Sequence, residues 1–192
     1  MSKVVVATAR LLLRSWDEAL WEEFSRVTNT PAVMRWLGGV FPPAQMAASF
    51  ERLQSYQAEF GYTFWAVERQ SDGAMLGFCG LKRANAPGAE PLHGEVEIGW
   101  RLREDAWGQG YAREAASASM ELAFERFRAE RVIAFTAAGN LPSQGLMKRL
   151  GMRPWPEQNY IDRRFAEDAP PNPQRTFVIT AAEWLAQRVK RV

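Results

Sequence analysis

Residues 93–115 read HGEVEIGWRLREDAWGQGYAREA, and the rest of the chain is organised around them. The stretch opens with strand-like alternation, passes a short polar turn, and ends in a small-residue loop that starts a segment with helical apolar spacing. The handover lies at Trp107-Gly108-Gln109-Gly110-Tyr111-Ala112. A helix start leaves several backbone N–H groups without intrahelical partners, and the helix dipole adds to their positive potential. Such a start suits phosphate. The two glycines let backbone approach an anion closely, and Ala112 keeps the first turn slim. Two better-known phosphate loops are excluded on detail. A Walker loop needs Lys-Ser/Thr where Tyr111-Ala112 follows Gly110, and a dinucleotide fingerprint needs a small residue where Arg113 stands.

Working outward, residues 4–13 read as one strand. Ser15, with Glu18 as its capping-box partner, predicts a helix start, and Leu20, Trp21, Phe24 and Val27 give that helix an apolar face. A short helix follows from Pro31 to Trp36, then a longer one over 44–60 closed by Gly61. Residues 62–69 and 74–82 predict a hairpin across Gln70-Ser71-Asp72-Gly73. Beyond it come a strand at 95–102, a helix at 110–128, a strand at 131–137 and a short helix at 142–150. Residues 154–173 form a proline-rich, charged excursion, before a strand at 176–180 and a helix at 181–189. This order describes one α/β domain spanning 1–192, a mixed sheet with helices against its faces.

Composition narrows the function classes. With 47% hydrophobic and 24% charged residues the chain reads as an ordinary globular protein with a real core. A net charge of +2 is too small to argue for nucleic acid. Cys79 and His93 are the only residues of their types, so no disulfide framework and no His/Cys metal site is expected. No apolar run is long enough for a membrane span, and Arg10 and Arg14 interrupt the N-terminal apolar run, which reads as a strand rather than a leader. A cytoplasmic location is expected.

The WGQGYA loop, the element order, and Asn140-Leu-Pro-Ser143 with the later Leu150-Gly151-Met152 together resemble the GCN5-related N-acetyltransferase (GNAT) superfamily. TARLLLRSW, PAVMRWL and EIGWRL look most like its RimJ/RimL-like branch of ribosomal-protein N-terminal acetyltransferases. The resemblance runs from about Thr8 to Leu185. It implies a mostly antiparallel sheet of about six to seven strands flanked by helices. It also implies acetyl-CoA as co-substrate and direct transfer to a primary amine, either a protein N-terminus or a small molecule. A homodimer is implied as well. The pyrophosphate would lie on backbone from Trp107, Gly108, Gln109, Gly110, Tyr111 and Ala112, although Trp107 departs from the Gln/Arg that usually opens this loop. Pantetheine would pair with open backbone at Trp100, Arg101 and Leu102, and Asn140 would contact the pantetheine arm or help shape the thioester end.

Amide formation from a thioester sets its own demands. An α-amine has a pKa of about 8 and a lysine amine about 10.4, so a base or an apolar pocket must make the nucleophile neutral. A leaving thiolate, at about 8.5, gains from a proton donor. Strand alternation puts Glu95, Glu97 and Gly99 on one face, and two neighbouring carboxylates raise one another's pKa. Glu97, acting through water, is the first choice of base, with Glu95 the alternative. Many relatives carry a tyrosine acid where this chain has Met147, and Ser143 is the position where the RimL-like branch has a serine that meets the sulfur. The structural alternatives are a hydrogen-bonding strand carboxylate and a helix-start serine. His93 reads as a surface histidine and Cys79 as a buried small residue; Trp36, Trp65 and Trp100 are the tryptophans suited to an acceptor pocket. The missing tyrosine leaves a second reading, a non-catalytic acyl-CoA-binding module.

Overall fold

The computed structural model describes residues 2–189. Where one N-terminal strand is predicted there are two, β1 (Val4–Ala7) and β2 (Leu11–Arg14). Thr8 makes the turn between them: its N–H donates to the Leu11 carbonyl at 2.9 Å and its Oγ1 accepts the Leu11 N–H at 3.0 Å. Helix α1 (Glu18–Thr28) is capped by Asp17, whose carboxylate accepts the Leu20 N–H, so the predicted Ser15 cap is wrong. Ser15 instead accepts the Lys3 N–H at 2.8 Å, tying the chain ahead of α1 to β1.

The remaining elements are α2 (Pro31–Met34), α3 (Pro43–Phe60), β3 (Phe64–Arg69), β4 (Met75–Arg83), β5 (Val96–Leu102), α4 (Tyr111–Glu121), β6 (Arg131–Ala137), α5 (Leu141–Arg149), β7 (Arg153–Pro154), β8 (Gln174–Thr180) and α6 (Ala181–Val189). Helix α4 is shorter than predicted because Leu122–Arg126 widens into a π turn and Arg128, at φ 54°, takes the left-handed conformation that ends it. The strands form one sheet in the order β1-β2-β3-β4-β5-β6-β8-β7, antiparallel throughout except between β5 and β6. Eight strands, rather than six to seven, follow from the divided N-terminal strand and the two-residue β7. No helix among the described residues is long and apolar enough to cross a membrane.

The two faces of the sheet bury different partners. Leu81, Val96, Ile98 and Leu102 pack with Ala115, Ala116 and Met120 of α4. Small alanines let the helix lie close to the sheet. On the other face Ala66, Met75 and Phe78 pack against Trp21 and Phe24 of α1 and Met46 and Leu53 of α3. Between β5 and β6 the parallel ladder consists of Val96↔Val132 and Glu97↔Ile133, after which the two strands run on without pairing. The sheet is open there as a wedge.

Gly77 sits where the β3–β4 register shifts, at φ 143°, and a Cβ on it would lie 2.0 Å from the Arg101 carbonyl oxygen. Neither a strained backbone nor two clashing main chains can relax cheaply. Gly77→Ala is expected to cost about 3 kcal/mol or more. Thermal melting would show this as a fall in Tm of roughly 6–12 °C.

Candidate active site

The loop ahead of α4 is braced from beneath. Gly110 is the N-cap residue at φ 83°, and no side chain caps the helix. The Trp107 indole N–H donates to the Leu102 carbonyl at 2.9 Å, and Gln109 Nε2 donates to the Asp105 carbonyl at 2.6 Å. Both glycines, Gly108 at φ 73° and Gly110, hold left-handed backbone that turns the chain without filling the space above the helix end.

A cation stands at the loop's edge, and sequence reading missed it. Arg10, from the β1–β2 turn, donates through Nη1 to the Gln109 carbonyl at 3.1 Å and pairs through Nε with Glu114 at 2.7 Å. Glu114 also accepts the Thr8 hydroxyl at 2.6 Å and the Arg10 N–H at 2.8 Å. Burial would raise its pKa, but these hydrogen bonds outweigh burial and hold it below the usual carboxylate range. Arg10 is thereby fixed over the Tyr111 ring, 4.5 Å from its centroid. Nothing in the spacing of Arg10 and Glu114 announces this contact.

Backbone alternation decides which β5 groups face the wedge. The Arg103 N–H donates to the Leu76 carbonyl and the Ala84 N–H to the Glu95 carbonyl, so odd-numbered positions of β5 pair with β4. Trp100 and Leu102 therefore turn their N–H and C=O toward β6, beyond the last rung of its ladder. Arg101 does not. Its backbone faces Phe78, which corrects its expected place among the open backbone groups. Across the wedge the Trp100 indole N–H donates to Ser143 Oγ at 3.1 Å, and the Ser143 N–H donates to Asn140 Oδ1 at 3.4 Å. Asn140 caps α5, so a contact from it to an acyl-CoA arm falls to its Nδ2 amide.

The opposite face of β5 carries Glu97, Gly99 and Arg101. Mutual repulsion between Glu95 and Glu97 is overturned by their partners. Glu95 takes a bidentate pair from Arg131, at 2.9 and 2.5 Å, and that guanidinium holds its pKa below the usual range. Glu97 faces the Lys82 ammonium, 2.7 Å from its Oε2, in a pair whose side chains are only 13% and 16% exposed. The contact is ionic rather than an aligned hydrogen bond, because Oε2 has no hydrogen-bond partner while Lys82 Nζ donates to Asn85 Oδ1 at 3.2 Å.

The excursion at 154–173 supplies what sequence reading did not assign. Tyr160 lies edge-on to Phe135 of β6 at 5.1 Å, and burial, with Glu97 and Asp162 nearby, pushes its phenol pKa upward. It stays a phenol at neutral pH. Asp162 is 1% exposed and is held by Arg164, and Asn172 clasps the Asp162 backbone from the far end of the loop. Phe165 packs on Gly38, Trp36 on Gly139 and Phe64 on Gly99, each so closely that a Cβ on the glycine would collide with the ring. Trp65, by contrast, is fully buried and donates to Gln57 Oε1 at 3.0 Å, so it belongs to the core and not to a pocket. Met147 is core as well. His93 is exposed, with its Nε2 2.9 Å from the Ala86 carbonyl. Burial pushes the Cys79 thiol up to about 12, which keeps it inert.

A loop suited to phosphate, an open wedge of backbone behind it and a carboxylate on the adjoining face are what an acyl-CoA acetyltransferase requires. Residues 10–153 match the model of the acetyltransferase (GNAT) domain. The chain is 30% identical over 151 residues to the uncharacterized N-acetyltransferase YnaD of Bacillus subtilis (strain 168), covering 77% of this chain and 82% of that one. Its fold is shared with an acetyltransferase from Agrobacterium tumefaciens str. C58, at TM-score 0.73 and 22% identity, over 91% of this chain and 92% of the other. Spermidine N-acetyltransferase from Vibrio cholerae, solved with CoA and spermine, superposes at TM-score 0.71 and 14% identity, over 91% and 98% of the two chains. Loop, wedge and matched residues agree: the chain belongs to the GNAT acetyltransferase family, and is an enzyme using acetyl-CoA to acetylate an amine.

Proposed function

We propose that the described fold works as one acetyltransferase unit in which acetyl passes from acetyl-CoA directly to a primary amine, either a protein N-terminal α-amine, as in the RimJ/RimL-like branch, or a small-molecule amine. The observation that carries this reading is the wedge. The uncapped loop at 107–112 follows β5, the backbone of Trp100 and Leu102 turns toward β6, and Ser143, whose N–H is held by Asn140, stands against Trp100 from the other side. When bound, acetyl-CoA supplies an activated thioester carbonyl. Backbone N–H groups of β5 stabilise the oxyanion formed there, because they are fixed in place before reaction.

Glu97 takes the amine's proton through water from the face away from α4. Ser143 accepts from Trp100, so its own O–H is left to donate to the departing sulfur. The resemblance also supports a homodimer. CoA-thiol release with a panel of peptides and small amines tests the reading: release coupled to one amine class supports it, and CoA binding with no acetylated amine anywhere in the panel defeats it. Ser143→Ala is expected to lower kcat about tenfold, less than most lost acids because a thiolate already leaves tolerably. Kinetics at saturating acetyl-CoA give that number.

A further inference from the structure

On the face of β5 away from α4, Arg101 carries a guanidinium with no carboxylate partner among the described residues. It lies two positions beyond Gly99, and same-face neighbours on a strand are about 7 Å apart. Its guanidinium rests against Phe24 and Phe78, 4.7 and 5.0 Å from their centroids, two rings that are themselves packed 5.5 Å apart, and Nη1 donates to Met34 Sδ at 2.9 Å. Nε is buried and has no hydrogen-bond partner. Among the described residues the carboxylates of this face are already held elsewhere, Glu97 by Lys82 and Asp162 by Arg164. Burial alone moves the Arg101 pKa down to about 10, which still leaves it charged at neutral pH. A buried charge without a counter-ion is costly, and two aromatic rings and a thioether offset only part of that cost.

We propose that Arg101 is the counter-ion for a carboxylate on the acceptor, so that the acceptor is an amine bearing a carboxylate, of the amino-acid type. A polyamine or other polycation would add charge where positive charge is already in excess. Beside the guanidinium the half-buried Phe64 ring, stacked on the buried Phe78 at 4.9 Å, suits a hydrophobic or aromatic side chain. This assignment rests on the acetyltransferase reading above. A phosphate of CoA is the other anion within the same chemistry, and the kinetic arms separate the two.

The test sets each of a panel of amino acids against its carboxamide and its decarboxylated amine, in the wild type and in Arg101→Met and Arg101→Lys. The wild type is expected to prefer at least one carboxylated member tenfold or more. Arg101→Met should erase that preference through the acceptor KM, Arg101→Lys should retain part of it, and the acetyl-CoA KM should hold. Absence of any carboxylate preference in the wild type overturns the proposal, and so does a rise in the acetyl-CoA KM with the acceptor KM unmoved. Calorimetric binding of the same pairs to CoA-loaded protein reads the counter-ion without turnover. Selective binding of the carboxylated member with no acetylation would remove the transferase reading and keep this one; equal binding would remove this one alone. Arg101→Met should melt at or above the wild type, since it replaces a desolvated charge with an apolar chain of similar length.

Discussion

Glu97→Gln is expected to lower kcat for acetyl transfer by about 10²–10⁴-fold, the range lost with a general base. The dissociation constant for CoA should stay within about twofold, because the loop at 107–112 and the outward backbone of β5 do not involve this side chain. Glutamine keeps the shape and gives up the charge, so it also unpairs Lys82 inside a contact that is largely shielded from water. Some loss of stability is therefore expected, about 1–3 kcal/mol. Glu97→Asp separates the two effects: it restores the charge beside Lys82 but shortens the reach toward the amine. Single-turnover rates and CoA titrations on both variants, with melting curves, decide the matter. Equal losses in rate and CoA affinity would make Glu97 a strut of the β4–β5 pair and nothing more.

Aspartate at position 110 should act on the opposite variable. Gly110 occupies left-handed backbone at the N-cap of α4, and its neighbour is Arg10, whose Nη2 lies 3.4 Å from where a Cβ would stand. A carboxylate there would accept the helix's first N–H groups and pair with Arg10, placing a negative charge on donors that a phosphate needs. Losing one or two charge-assisted hydrogen bonds corresponds to about 10- to 100-fold weaker CoA binding. The kcat at saturating acetyl-CoA should change far less. Calorimetric titration with CoA reads the first quantity, and a kcat that falls as steeply as affinity would mean that the strained backbone had deformed the whole wedge.

Features legible in the sequence are those whose causes are local. Strand β6 and helix α6 have the bounds read from hydrophobic periodicity, and the loop at 107–112 announced itself by its two glycines. Short-range competition already blurred the picture at the N-terminus, where Ser15 and Asp17 are both good caps and only the pairing of Ser15 with Lys3 decides between them. Electrostatics were the least legible. Glu95 and Glu97 look like a repelling couple on one strand, yet Arg131, 36 residues away, holds the first, and Lys82 on the neighbouring strand holds the second. Arg10 beneath the loop and Tyr160 beside Glu97 come from segments that sequence spacing relates to nothing. Sheet order brings them in, and sheet order is a property of the whole chain.

The wedge has one more consequence. Only two main-chain rungs, at Val96 and Glu97, join the β1–β5 half of the sheet to the β6–β8–β7 half along their shared seam, with the Glu95–Arg131 pair and the Trp100–Ser143 hydrogen bond as side-chain links across it. An extended ligand lying in that seam would act as a short extra strand, pairing with main-chain groups of Trp100 and with the Leu102 N–H, the Leu102 carbonyl being taken already by the Trp107 indole. Occupancy and cohesion then become a single equilibrium, in which a bound ligand stabilises the folded state by RT ln(1 + [L]/Kd). With a ligand so placed, the seam would gain the pairing that β5 and β6 do not give each other beyond Glu97.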